Sequence, residues 1–166
     1  MGSAILWIHV NDGAITSSSN KLLLTICNRL NKALKIKWDD QINGLVGLEI
    51  MQHRKGLLIS QPKLIHKLIN LSYSNITAKS PLPHNCSLIS NKAKHMDIPY
   101  LKRIGILLYI AQGSRPNITY AVNYLVRFSL GTDSSHWEAL EHLIAYLCYT
   151  INIGIYINNE HPENKI

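Results

Sequence analysis

From Pro99 onward, apolar residues recur three and four positions apart in three consecutive stretches, and no other feature constrains the chain as much. Such spacing puts the apolar side chains on one face of a helix. The first stretch carries Leu101, Ile104, Leu107, Leu108 and Ala111 and stops at Gly113. The second opens at Pro116, which suits a first helical turn because the N–H it lacks would be unpaired there. It carries Ile118, Ala121, Val122 and Leu125. The third carries Trp137, Leu140, Ile144 and Leu147, with Ser135 three residues before Glu138 in a capping-box pattern. Three amphipathic helices in series must bury their stripes against each other or against a sheet.

The first 60 residues read differently. Ala4 to Val10 (AILWIHV) is a short apolar run that suits a buried strand. Asp12-Gly13 and then Ala14-Ile15-Thr16 follow, so the spacing predicts a hairpin with Asp12 at its tip. Ser17 to Ser19 offer caps for a helix in which Leu22, Leu23, Ile26, Leu30, Ala33 and Leu34 form the stripe. Lys21, Arg29, Lys32 and Lys35 give that helix a basic face. Leu45–Ile50 and Leu57–Ser60 read as two strands joined through His53 to Gly56. Pro62 then opens a short helix with Leu64, Ile65, Leu68, Ile69 and Leu71 buried, and Ile153–Ile157 is a candidate last strand. The expected class is α+β: short antiparallel hairpins first, a helix-rich region after.

Charge divides the chain. Seventeen Lys and Arg face ten Asp and Glu, a net of +7. Sixteen of the bases lie between Lys21 and Arg127, beside only Asp39, Asp40, Glu49 and Asp97. A basic body of this kind suits an anionic partner such as nucleic acid, or is ordinary Lys-rich helix surface. The three cysteines are far apart and form no CxxC pair, which argues against a zinc ribbon or a disulfide scaffold and fits a reducing compartment. The longest strictly apolar run, Ile106 to Ala111, is too short for a membrane span, and the N-terminus lacks a basic leader region. A cytoplasmic or nuclear, non-secreted, non-membrane location is expected.

Few acids mean few options for carboxylate chemistry. Asp12 is a plausible single metal ligand, whereas Asn11 offers only a neutral oxygen. Asp39 and Asp40 are adjacent, and neighbouring side chains of an extended chain point apart. The eight histidines show no ligand spacing, and there is no HExxH, GxSxG, GxGxxG or GxxxxGK[ST] motif. ATP and dinucleotide binding are disfavoured. Lys63 and Lys67, four apart on the short helix, share a face and are candidate nucleic-acid contacts.

The order of several weak motifs carries more information than any one of them. His9-Val10-Asn11-Asp12-Gly13, the strand Leu45 to Ile50, Gly56 with Ile59-Ser60-Gln61, and Ser80-Pro81 come first. Ile104-Gly105 with Leu107-Leu108-Tyr109 and Ala111, Ser114-Arg115-Pro116-Asn117-Ile118 with Tyr120-Ala121-Val122, and His136-Trp137 with Ala139, then Tyr146-Leu147, Thr150 and Gly154, complete the series. In this order they resemble the C-terminal part of a copia-type retrotransposon reverse transcriptase, an RNA-directed DNA polymerase. The likeness runs from about Leu6 to Tyr156.

That resemblance implies a partial palm at 1–61, holding a catalytic-type hairpin and a primer-grip-like hairpin. It implies a thumb-type helix at 62–74, a linker at 75–97, a helical thumb and connection region at 98–157, and a tail at 158–166. It also implies Mg²⁺ and an RNA/DNA primer–template duplex as partners. Asn11 and Asp12 would be the remnant of the catalytic hairpin, with Asn11 standing where the family has its first hairpin Asp. The family's other catalytic Asp lies on an upstream strand expected to be missing here. Asp12 alone would make a weak, incomplete metal site. Three readings follow: a decayed fragment with no catalysis, a non-catalytic nucleic-acid-binding module derived from the thumb, or a partner subunit that completes a polymerase with another chain; the missing upstream palm and fingers could also belong with it to a longer polyprotein. A small helical protein without ligand is the fourth. An incomplete palm sheet should also leave apolar surface open on the first hairpins.

Overall fold

The computed structural model describes residues 2–39, 41–72, 77–89 and 99–158. Asp40, Asn75 and residues 90–97 of the expected linker, and the tail from 159, lie outside them. The architecture is α+β, with two small antiparallel sheets and five α-helices among the described residues. The first sheet is the hairpin β1 (Ala4–His9) and β2 (Asp12–Ser17), followed by α1 (Asn20–Ala33). The second has the order β3 (Gly44–Leu45), β4 (Leu48–His53), β5 (Gly56–Ser60) and β6 (Ile155–Asn158). Between β5 and β6 run α2 (Pro62–Ile69), α3 (Tyr100–Gly113), a 3₁₀ turn at Pro116–Ile118, α4 (Thr119–Val126) and α5 (Ser134–Tyr149). Among the described residues no helix is long and apolar enough to cross a membrane.

The core lies among α2 to α5. Ile65, Leu68, Leu107, Val122, Leu125, Leu140 and Leu147 have no exposed surface. Shortening any such Leu to Ala would cost about 2–5 kcal/mol. Residues 77–89, within the stretch read as linker, lie against this unit: Ala78 is buried, and the Leu88 N–H donates to the Tyr124 hydroxyl at 2.9 Å.

Polar pairs cross the same core. Arg103 is buried against Glu141 and donates to the Leu71 carbonyl, with its guanidinium 4.3 Å from the Trp137 ring. Ser72 donates to the other oxygen of Glu141. Arg115, fully buried, donates to the Thr150 carbonyl at 2.8 Å and to its hydroxyl at 2.6 Å. Two of the sixteen clustered bases are thus tied up inside the helical unit rather than facing a ligand.

Several local expectations are corrected. The tip of the first hairpin is Val10–Asn11, and Asp12 is already the first residue of β2, opposite His9. Val10 has φ 54°, a left-handed conformation costly for a β-branched side chain. β1 is exposed along its whole length instead of buried. Ile5 and Ile8 are 69% and 66% exposed, which agrees with the expectation of open apolar surface. Leu45–Ile50 is no single strand: Val46 and Gly47 turn between β3 and β4 with φ of 49° and 72°. Positive φ at both central residues marks a tight hairpin turn that glycine tolerates best.

The stripe of α1 is only half-buried. Leu71 lies past the end of α2, and Leu101 is 62% exposed because α3 turns Tyr100 and Arg103 inward instead. The cap of α5 is Asp133, not Ser135. Its carboxylate accepts from the Ser135 and His136 N–H groups, and the His136 ring accepts from the Asp133 N–H at 3.0 Å.

Candidate functional site

The two hairpins meet at a cleft of about 360 Å³. Asp12 enters it from β2, Val46 and Gly47 from the β3–β4 turn, Glu49 from β4, and Gln61 and Lys63 from the start of α2. The contact is specific: Asp12 Oδ2 accepts a hydrogen bond from the Val46 N–H at 3.1 Å. The left-handed backbone at Val46–Gly47 turns the chain back at this point, beside the Asp12 carboxylate.

The sequence-predicted site residues divide. Asp12 and Lys63 share the cleft. Lys63 Nζ lies 3.3 Å from Glu49 Oε1, on an ammonium side chain that is 88% exposed. The Glu49 side chain is 31% exposed and its Oε1 is buried, so the pair joins a solvated cation to a half-buried carboxylate. Lys67 is exposed one turn further along α2 and does not line the cleft. Asn11 is exposed in the hairpin tip. Asp39 is exposed in a loop, and Asp40 lies outside the described residues.

Sequence reasoning missed Glu49 and Gln61. Gln61 is 1% exposed; its Oε1 accepts from the Ser114 hydroxyl at 2.9 Å, while its Nε2 has no partner among the described residues. The only available signal was alternation: Glu49 stands two residues before Met51 on β4, and both point away from the buried Ile50.

The donor set does not fit a pair of divalent ions. Two-ion phosphoryl transfer needs several converging carboxylates. Among the described residues, no group of three or more His, Cys, Asp or Glu side chains is close enough to hold a metal. Of the cleft's carboxylates, Asp12 is bonded to a backbone N–H and Glu49 is paired with Lys63.

Other residues singled out by the motifs serve the fold. His136 is fully buried and stacks on Phe128 with 4.3 Å between ring centroids. His142 Nε2 lies 3.0 Å from the Ser80 carbonyl. Asn117 joins Arg115 to α5, accepting from Arg115 Nε at 3.2 Å and donating to the Tyr146 hydroxyl at 2.8 Å. The Ser135 hydroxyl, 2.6 Å from Asp133 Oδ1, holds the Asp133 carboxyl below its ordinary value. Burial pushes the Cys86 thiol up from its ordinary value.

No family model matches the chain, and no solved structure matches it significantly. Curated proteins do. An uncharacterized mitochondrial protein of Arabidopsis thaliana is 29% identical, over 97% of this chain and 67% of its own length. The retrovirus-related Pol polyprotein from transposon RE1 of Arabidopsis thaliana is 30% identical, over 94% of this chain and 11% of its own length. That from transposon TNT 1-94 of Nicotiana tabacum is 26% identical, over 86% of this chain and 12% of its own length. The chain therefore spans about a tenth of the Pol polyproteins it matches. These similarities support a retrotransposon origin for the chain.

Proposed function

We propose that this chain is a reverse-transcriptase-type segment of a copia-like retrotransposon, without catalysis of its own, whose basic surface engages a nucleic-acid duplex. The observation that carries the reading is the cleft: the hairpin bearing Asn11 and Asp12 docks through Val46 beside the start of α2, where Lys63 lies. The resemblance implies a catalytic hairpin followed by a primer-holding hairpin and a thumb helix; the cleft between the first hairpin, the β3–β4 turn and the start of α2 supports that reading.

Bound Mg²⁺ would supply charge neutralisation in the family's reaction, and no step is assigned to it in this chain. The side chains present can position an anion. Lys63 and Lys67, both exposed on α2, offer cations that contact phosphates without reading bases. Asn11 lacks the charge that the family's Asp would bring. A cytoplasmic or nuclear location, and further palm and fingers on a longer polyprotein, belong to the same proposal. The second reading, a non-catalytic binding module derived from the thumb, shares the same basic surface.

The test is binding of an RNA–DNA duplex, followed by fluorescence anisotropy over a salt series. Affinity should fall steeply with salt, and Lys63→Glu with Lys67→Glu should weaken it for every sequence and reduce the salt slope by about 2. Unchanged affinity would remove both lysines from the site. Template-dependent nucleotide incorporation by the purified chain would refute the non-catalytic assignment, and Asn11→Asp alone should restore none.

A further inference from the structure

β1 has the makeup of an inner strand but lies at an edge. Ile5 and Trp7 point to one face and Leu6 and Ile8 to the other, so both faces are apolar. Strands of that kind are normally covered on both sides. Here Ile5 is 69% exposed, Leu6 44%, Trp7 42% and Ile8 66%. Among the described residues only β2 pairs with it. Exposed edges usually carry a lysine, a proline or a bulge that deters pairing, and Ala4–His9 has none of these.

The register shows which peptide groups are open. His9 and Asp12 flank a two-residue loop, which makes them a hydrogen-bonded pair, and the Ser18 N–H donates to the Ser3 carbonyl at 2.9 Å. Odd-numbered residues of β1 therefore direct their N–H and C=O groups toward β2. Ala4, Leu6 and Ile8 direct theirs outward.

We propose that two copies of this chain pair through this edge, making one four-stranded antiparallel sheet in the order β2–β1–β1–β2. The occupant follows from charge and register. Gly2 to Asn11 contains no charged residue, whereas the whole chain carries +7. Two copies repel across much of their surface, and β1 is a contact that brings no like charges together. Antiparallel pairing of the outward groups sets Leu6 against Ile8 of the second copy, and Ile8 against its Leu6. Trp7 then faces Trp7 of the second copy at a position without hydrogen bonds, where cross-strand side chains approach most closely. The edge is complementary to itself, as a two-fold interface requires. A contact this small makes a weak dimer.

The experiment is light scattering after size exclusion over a concentration series, with amide hydrogen exchange on the same samples. The mass should rise from 18.8 kDa toward twice that value and stop there. The Leu6 and Ile8 amides should slow only at concentrations where the dimer forms. Ile8→Pro removes an outward donor without removing a bond to β2, so it should give a monomer with unchanged helical circular dichroism. Leu6→Lys should do the same through charge, and it serves if the proline disturbs the hairpin. A monomer at every concentration overturns the proposal, as do growth into larger aggregates and persistent dimers of both variants. Slow exchange of Leu6 and Ile8 already in a monomer would mean that another segment of the chain covers the edge, and would overturn it equally.

Discussion

Arg103→Met should be among the most damaging single substitutions in the helical unit. Arg103 and Glu141 have side chains only 3% and 9% exposed, and they join α3 to α5. Arg103 also satisfies the Leu71 carbonyl beyond α2. Met fills much of the same space, so cavity formation contributes little. The loss comes from leaving the Glu141 carboxylate buried without a cation, with the Ser72 hydroxyl as its remaining partner among the described residues. Removing one member of a buried pair costs about 3–5 kcal/mol. Arg103 Nε has no partner among the described residues, so the pair is incompletely satisfied and the lower end applies. With a urea slope of about 2 kcal/mol/M, a loss of ~3 kcal/mol lowers the midpoint by about 1.5 M. Glu141→Leu should cost a similar amount by stranding the guanidinium. The double variant Arg103→Met/Glu141→Leu removes both charges together and takes the Arg103 donor from the Leu71 carbonyl, and should lose about 1–3 kcal/mol in all. The two substitutions must therefore be strongly non-additive. Urea titration followed by circular dichroism and Trp fluorescence measures all three variants. A midpoint shift below about 0.5 M for Arg103→Met, or additivity of the two changes, would refute the reasoning.

Two further outcomes concern the sheet and the α5 cap. A Cβ at Gly154 would lie 2.2 Å from the Ile59 carbonyl oxygen, so Gly154→Ala must push β6 off β5, costing about 1–3 kcal/mol. Amides of β6 should then exchange faster than in the wild type, and unchanged exchange would show that the strands can separate without penalty. Asp133 has a folded-state pKa below its ordinary 3.8, chiefly through the Ser135 hydroxyl. A depressed carboxyl contributes stability above its unfolded value and loses it as pH falls through the folded one. The wild-type advantage over Asp133→Asn should therefore be full at neutral pH and shrink below 3.8. A constant difference down to pH 2 or so would remove Asp133 from the acid response.

Much of the fold was legible in the chain because it rests on local periodicity. The stripes of α4 and α5, Pro62 and Pro116 at helix starts, and the sequence of hairpins before helices all follow from spacing and turn chemistry within a few residues. The resemblance, too, was carried by order along the chain. Tertiary structure decided what depends on distant partners. Nothing local marks Glu141 as a buried charge; α3 brings Arg103, 38 residues away, against it. Glu49 gained meaning only when the β3–β4 turn and the first hairpin enclosed it with Asp12 and Lys63. Leu101 obeyed the helical spacing yet stayed outside, because the face of α3 that meets α2 and α4 is set by Tyr100 and Arg103. An apolar run such as Ala4–Val10 states that burial is favourable, but only the packing of the folded chain shows whether a cover is there. A charge likewise becomes a structural pair or a ligand contact according to which helix arrives opposite it.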